Sequence, residues 1–143
     1  MSFSNLNAPS SALRVCVDHA GGGYLSGLVY SQRVTEPIPF TDIGNLLLRL
    51  DEVLEAQNFP QAFQRSRSFT GRKDPVPAAA DPSEGMSADT VTDAHGLVYT
   101  FEVSVTSRRN ASWQGMVDWL DGEGRQEFSS ALELIKLIEE HVI

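Results

Sequence analysis

The stretch from Tyr99 to Ile143 constrains this chain most, because it reads as a complete strand–strand–strand–helix unit and has a counterpart upstream. Tyr99-Thr-Phe-Glu-Val-Ser-Val-Thr106 alternates large apolar and polar side chains, the pattern of a half-buried strand. Ser107-Arg-Arg-Asn110 interrupts it and is expected to turn. Trp113, Met116, Val117, Trp119 and Leu120 belong to a second strand, in which Gly115 leaves room for a bulge or a close neighbour. Asp121-Gly-Glu-Gly124 is a turn signal, and Arg125 to Phe128 is long enough only for a short third strand. Ser130 and Glu133 have capping-box spacing. Ala131, Leu134, Ile135, Ile138 and Val142 then form one apolar helical stripe.

The same order occurs at a constant offset of 88 residues, set by Gly27 and Gly115. Val15 falls on Val103, Val17 on Val105, Leu25 on Trp113, Val29 on Val117, and Phe40 on Phe128. Leu46, Leu47 and Leu50 fall on Leu134, Ile135 and Ile138 without a gap. Any two units of this layout share some apolar positions, but the ungapped glycine and phenylalanine matches favour duplication. Each copy, at roughly 45 residues, is near the lower limit for an independent core. The expectation is therefore an α+β domain. Two βββα repeats, related by a pseudo-two-fold axis, would form one antiparallel sheet with two helices packed on it.

Along the chain this gives a polar, disordered tail over 1–12, a first repeat over 13–57, a linker loop over 58–95 and a second repeat over 96–143, with one shared core. Leu13 to Asp18 reads as a first strand and Tyr24 to Val34 as a long second one. Glu36-Pro-Ile-Pro39 reads as an edge or turn, because proline cannot donate to a ladder. A helix follows, capped by Thr41 or Asp42, with Ile43, Leu46, Leu47, Leu50, Val53 and Leu54 on one stripe. Asp74 to Asp93 has loop composition and no periodicity.

The chemistry-bearing residues are sparse. Gly21-Gly-Gly23 precedes a strand, not the helix that a phosphate loop requires, so it reads as a hairpin turn. His19, His95 and His141 lack metal-ligand spacing, and no nucleophile motif occurs. The carboxylates around Asp118–Glu123 and along Glu133–Glu140 read as solubilising charge. The single Cys16 excludes an internal disulfide and sits in a strand pattern, where a buried thiol is expected. No catalytic residue, metal or cofactor is expected, and the chain reads as non-enzymatic.

Contact residues are the better prospect. Arg65, Arg67, Arg72 and Lys73, with Phe69 among them, form the one concentrated basic strip, suited to an acidic protein surface or a phosphate. Alternatively, the strip covers the protein's own acidic helices. Trp113 and Trp119, six residues apart, share a sheet face. Core packing is the simpler reading. The alternative is an exposed aromatic platform flanked by Arg108 and Arg109. The net charge of −8 argues against nucleic acid and anionic membranes as partners. A protein partner or a homodimer fits better. No leader or membrane-spanning apolar run is evident, so the cytoplasm is the expected compartment.

Asn110-Ala-Ser-Trp-Gln-Gly115, Val117-Asp-Trp-Leu120, Phe128-Ser-Ser-Ala-Leu-Glu-Leu-Ile-Lys-Leu-Ile138, Pro39-Phe-Thr-Asp-Ile-Gly44 and Phe59-Pro-Gln-Ala-Phe-Gln-Arg65 together resemble an uncharacterised bacterial family. The resemblance covers most of the chain outside 74–95 and implies no catalytic or binding residue. In layout alone, each βββα unit is similar to the sheet-plus-helix domain of HicB-type antitoxins. Three functions follow as expectations: a binding or adaptor protein, an acidic inhibitor competing for a nucleic-acid-binding partner, or a metabolite binder or enzyme with a cleft between repeats.

Overall fold

The computed structural model describes residues 12–22, 24–57, 85–109, 112–120 and 124–142. The basic strip Arg65–Lys73 lies outside these residues. Apolar alternation makes Leu13–Gly21 β1 and Tyr24–Tyr30 β2, and Ile38–Phe40 is β3. Helix α1 spans Ile43–Gln57 and a short α2 spans Ala88–Asp93. Tyr99–Arg109 (β4), Ser112–Asp118 (β5), Arg125–Phe128 (β6) and Ala131–Val142 (α3) complete the described elements. The strands form one antiparallel sheet in the order β3-β2-β1-β4-β5-β6. Both outer strands are short, and Pro39 on β3 is exposed, which limits the edge available for stray pairing.

Alternation sorts the side chains. Leu13, Val15 and Val17 of β1, with Phe101, Val103 and Val105 of β4, enter a single hydrophobic cluster. Leu46, Leu50, Val53 and Leu54 of α1 and Leu134 and Ile138 of α3 close it. Asp42 accepts the Asn45 N–H at 2.8 Å and so caps α1. At α3, Ser130 accepts the Glu133 N–H at 3.1 Å, and Glu133 reaches back to the Ser129 N–H at 3.1 Å.

Both hairpins carry a register shift, between Val17 and His19 in β1 and between Val105 and Ser107 in β4. Gly27 lies opposite Val17, and Gly115 lies opposite Val105. A Cβ on Gly27 would collide with the Cys16 carbonyl, and one on Gly115 with the Ser104 carbonyl. The glycines are thus demanded by the backbone of the neighbouring strand.

Four sequence expectations change, the first being that β5 ends at Asp118 and leaves Trp119 and Leu120 outside the strand. The second strand ends at Tyr30 rather than Val34, because Ser31–Pro37 leaves the ladder. Ser107–Arg109 continues β4 instead of turning, because the bulge lets it keep pairing with Ser112–Gln114. The end of the expected loop forms α2, whose N-cap Ser87 accepts the Thr90 N–H at 3.1 Å. After α2 the chain crosses the sheet face opposite α1 and α3. There Ala94 and His95 meet Arg14, and Val98 donates to the Val17 carbonyl at 2.8 Å.

Cys16 lies on that second face, 2% exposed. Burial pushes its thiol up to about 11, with Arg14 only partly offsetting the shift. Near pH 8 the folded protein should therefore resist Ellman's reagent, and one thiol should react once the chain is denatured. Fast reaction of the native chain would contradict the burial.

Candidate functional site

Trp113 and Trp119 are both interior. They are 7% and 0% exposed and belong to the core cluster. The bulge falls on β4 and not on β5, so β5 keeps its alternation, and Trp113, Gly115, Val117 and Trp119 all face inward. The exposed aromatic platform is thereby replaced by core packing. Arg108 is buried too, at 4% exposed, and its Nη1 donates to Glu55 Oε2 of α1 at 3.0 Å. It ties α1 to β4 and is not offered to a partner. Arg109 ends β4, and its side chain lies outside the described residues. Arg65, Arg67, Phe69, Arg72 and Lys73 are likewise outside them.

The site that the fold does build is a cleft of about 330 Å³ where β4 begins and β5 ends. Its apolar walls are Val98, Tyr99, Trp119 and Leu120, and its polar groups are Arg14, His95 and Thr100. Arg14 comes from the first half of the chain, and the other groups come from the segment after α2 and from the second half. Val98 and Leu120, which line it, are 52% and 42% exposed, and Leu97, next to Val98 in the chain, is 83% exposed. Leu120 has a φ of 61°, a left-handed backbone that costs a leucine about 1 kcal/mol.

Arg14 is 6% exposed, and each of its three nitrogens is engaged. Nε donates to the Ala94 carbonyl at 2.7 Å, and Nη1 donates to Glu102 at 3.0 Å. Nη2 lies 3.3 Å from His95 Nε2, while His95 Nδ1 lies 2.9 Å from the Asp93 carbonyl. A carbonyl only accepts, so His95 carries its proton on Nδ1 and presents Nε2 to Arg14 as an acceptor. Thr100 Oγ1 accepts the Gly96 N–H at 2.9 Å. A Cβ on Gly96 would strike the Val17 backbone, so glycine is what lets this segment lie so close to β1.

Trp119 is fixed from three sides. Its Nε1 donates to Gln126 at 2.7 Å, Phe101 lies 5.4 Å away, and His141 stacks on it at 4.0 Å with an 11° tilt. A rigid, fully buried indole therefore backs the cleft.

A larger groove of about 620 Å³ runs along Thr106, Gln114, Met116, Glu127 and Phe128 to Glu133. Its polar groups mostly serve the fold: Glu133 caps α3, and Thr106 donates to the Gln114 carbonyl at 3.1 Å. It is a less developed binding site than the cleft, despite its size. A smaller depression beside it is lined by Glu102, Asp118 and Arg125 on the same sheet face.

Sequence reasoning passed over Arg14, Thr100 and Leu120. The available signal was a lone arginine inside the apolar run Leu13-Arg-Val-Cys-Val17, a position that demands partners once buried. Among the described residues no group of three or more His, Cys, Asp or Glu side chains gathers as a metal site would. Nor is any described helix long and apolar enough to cross a membrane. Comparisons with protein-family models, curated proteins and solved structures found no match.

Proposed function

We propose that this chain is a non-enzymatic binding or adaptor protein of the bacterial cytoplasm, with its partner contact at the cleft rim of Val98 and Leu120 and the adjoining Leu97. The observation that carries this is the exposure of Val98 and Leu120 at one concavity, with the exposed Leu97 adjoining Val98 in the chain. The bacterial setting rests on the sequence resemblance alone. The basic strip Arg65–Lys73 is the second proposed contact.

A doubled βββα unit is part of the proposal. Its support is the recurrence of register at the same offset. Gly27 opposes Phe40 as Gly115 opposes Phe128, and both bulges fall at equivalent places. Arg14 and Glu102, equivalent residues, stand directly opposite each other where β1 meets β4. A pseudo-two-fold axis would pass between them.

A second reading, an acidic inhibitor of a nucleic-acid-binding protein laid out like a HicB-type antitoxin, draws on the open face of the second half. Glu102, Asp118 and Glu127 lie there with Arg125. Substitution separates the readings. The rim reading expects Leu97→Ser with Leu120→Ser to abolish capture of a partner by the folded chain. It expects Asp118→Lys with Glu127→Lys to leave capture intact. The reverse pattern would favour the inhibitor. A turnover lost on replacing His95 would overturn the non-enzymatic proposal.

A further inference from the structure

The geometry points to the cleft between Trp119 and Arg14 as a binding site for a small free carboxylic acid with an apolar body. This goes beyond the adaptor reading and holds whether or not a protein seats on the rim. The volume, about 330 Å³, lies at the small end of ligand pockets, so the ligand is compact. The walls Val98, Tyr99 and Leu120, backed by the buried Trp119, take an aromatic ring or a short aliphatic chain.

The polar end is set by which hydrogen atoms remain. A guanidinium has five N–H groups. Arg14 commits one from each nitrogen to Ala94, Glu102 and His95 and also hydrogen-bonds the Cys16 thiol, which leaves at least one N–H on its terminal nitrogens. Thr100 Oγ1 accepts from Gly96, so its own O–H is free to donate. His95 spends its one ring N–H on Asp93 and its lone pair on Arg14. The polar floor therefore offers donors and little acceptance, so the ligand group that completes it is an acceptor with two oxygens. Glu102 binds one terminal nitrogen of Arg14 but is not among the groups lining the cleft. A carboxylate meets guanidinium and hydroxyl donors that are already buried and oriented, with the Arg14 charge partly balanced by Glu102, and this preorganisation lowers the cost of ordering the site on binding.

The test is titration of the full-length chain by calorimetry, with indole fluorescence as a second readout. The probes are phenylacetate, 2-phenylethanol, acetate and N-acetylphenylalanine. Phenylacetate should saturate one site. It should bind about tenfold more tightly than 2-phenylethanol, which lacks the second oxygen and the charge. Acetate, without the ring, should be weaker than phenylacetate by a similar factor. Thr100→Val should weaken phenylacetate about tenfold. Leu120→Ala, at an exposed position that leaves the core untouched, should weaken it severalfold. No saturable binding of phenylacetate to the folded chain would overturn the proposal. So would equal affinity for 2-phenylethanol, or unchanged affinity in both variants. Tighter binding of N-acetylphenylalanine would overturn the free-acid assignment in favour of a chain terminus. None of these outcomes bears on capture of a protein partner, so the two proposals fail separately.

Discussion

Trp119→Ala is expected to destabilise the protein by about 4 kcal/mol, the usual scale for removing a fully buried tryptophan. The reason is where the indole sits. It is 0% exposed and stands outside any strand, yet it joins three elements. Tyr99 and Phe101 of β4 approach it at centroid distances of 6.2 and 5.4 Å, and His141 of α3 lies parallel to it at 4.0 Å. Its N–H is satisfied by Gln126 of β6 at 2.7 Å. Alanine would leave a void beneath the last turn of α3 and strand the Gln126 oxygen. With total stabilities of about 5–15 kcal/mol typical of such domains, the variant should unfold at much lower denaturant. Trp119→Phe keeps the ring contacts but loses the N–H bond, so it should cost less, about 1–2 kcal/mol. Urea titrations followed by far-ultraviolet circular dichroism give both numbers. A Trp119→Ala loss below 1 kcal/mol would mean that the indole is not the joint between β4, β6 and α3.

How far this interior could be foreseen depended on the range of the interactions. Local pattern carried the strands around Val15, Val29, Val103 and Val117, and the two long helices with their caps at Asp42 and Ser130. These follow from side-chain period and from hydrogen bonds within four residues. The pairing of β1 with β4 was not legible, since it joins residues about 88 positions apart, such as Arg14 and Glu102. The burial of Arg108 was missed for a subtler reason. In β4 the inward residues are Phe101, Val103 and Val105, and strict alternation would send Ser107 inward. The bulge makes Thr106 the extra residue and rotates Arg108 to the core side, opposite Trp113. In the first half the equivalent bulge brings Ala20 to that side, opposite Leu25. The second half thus carries a charge where the first carries a methyl group. Glu55 at 3.0 Å is what makes that charge tolerable. The candidate site was illegible on the same grounds: Arg14, His95, Thr100 and Leu120 converge only after β1 and β4 have paired and the segment following α2 has crossed the sheet.

Gly27→Ala and Gly115→Ala should each destabilise the protein by about 3 kcal/mol, the upper part of the range for overpacking. Neither glycine has a left-handed backbone, so the ordinary explanation of a strand glycine does not apply. Each is opposite the residue at which the neighbouring strand bulges, and the bulge pushes a backbone carbonyl into the space a Cβ would occupy. The obstacle is main chain held by its own ladder, so it cannot move aside as a flexible side-chain end would. At Gly115 the Phe128 ring also crowds the position, at 2.9 Å from the added carbon. Gly115→Ala should therefore be the costlier by a few tenths of a kcal/mol. The pair tests the doubling more sharply than either variant alone. If the halves descend from one βββα unit, the demand for glycine belongs to the shared backbone, and the two losses should agree within about 1 kcal/mol. The double variant should lose nearly the sum, because the sites lie on different hairpins. A protein that tolerates Gly27→Ala with a loss under about 0.5 kcal/mol but fails with Gly115→Ala would have two different strand crossings. The matched glycines would then be coincidence rather than inheritance.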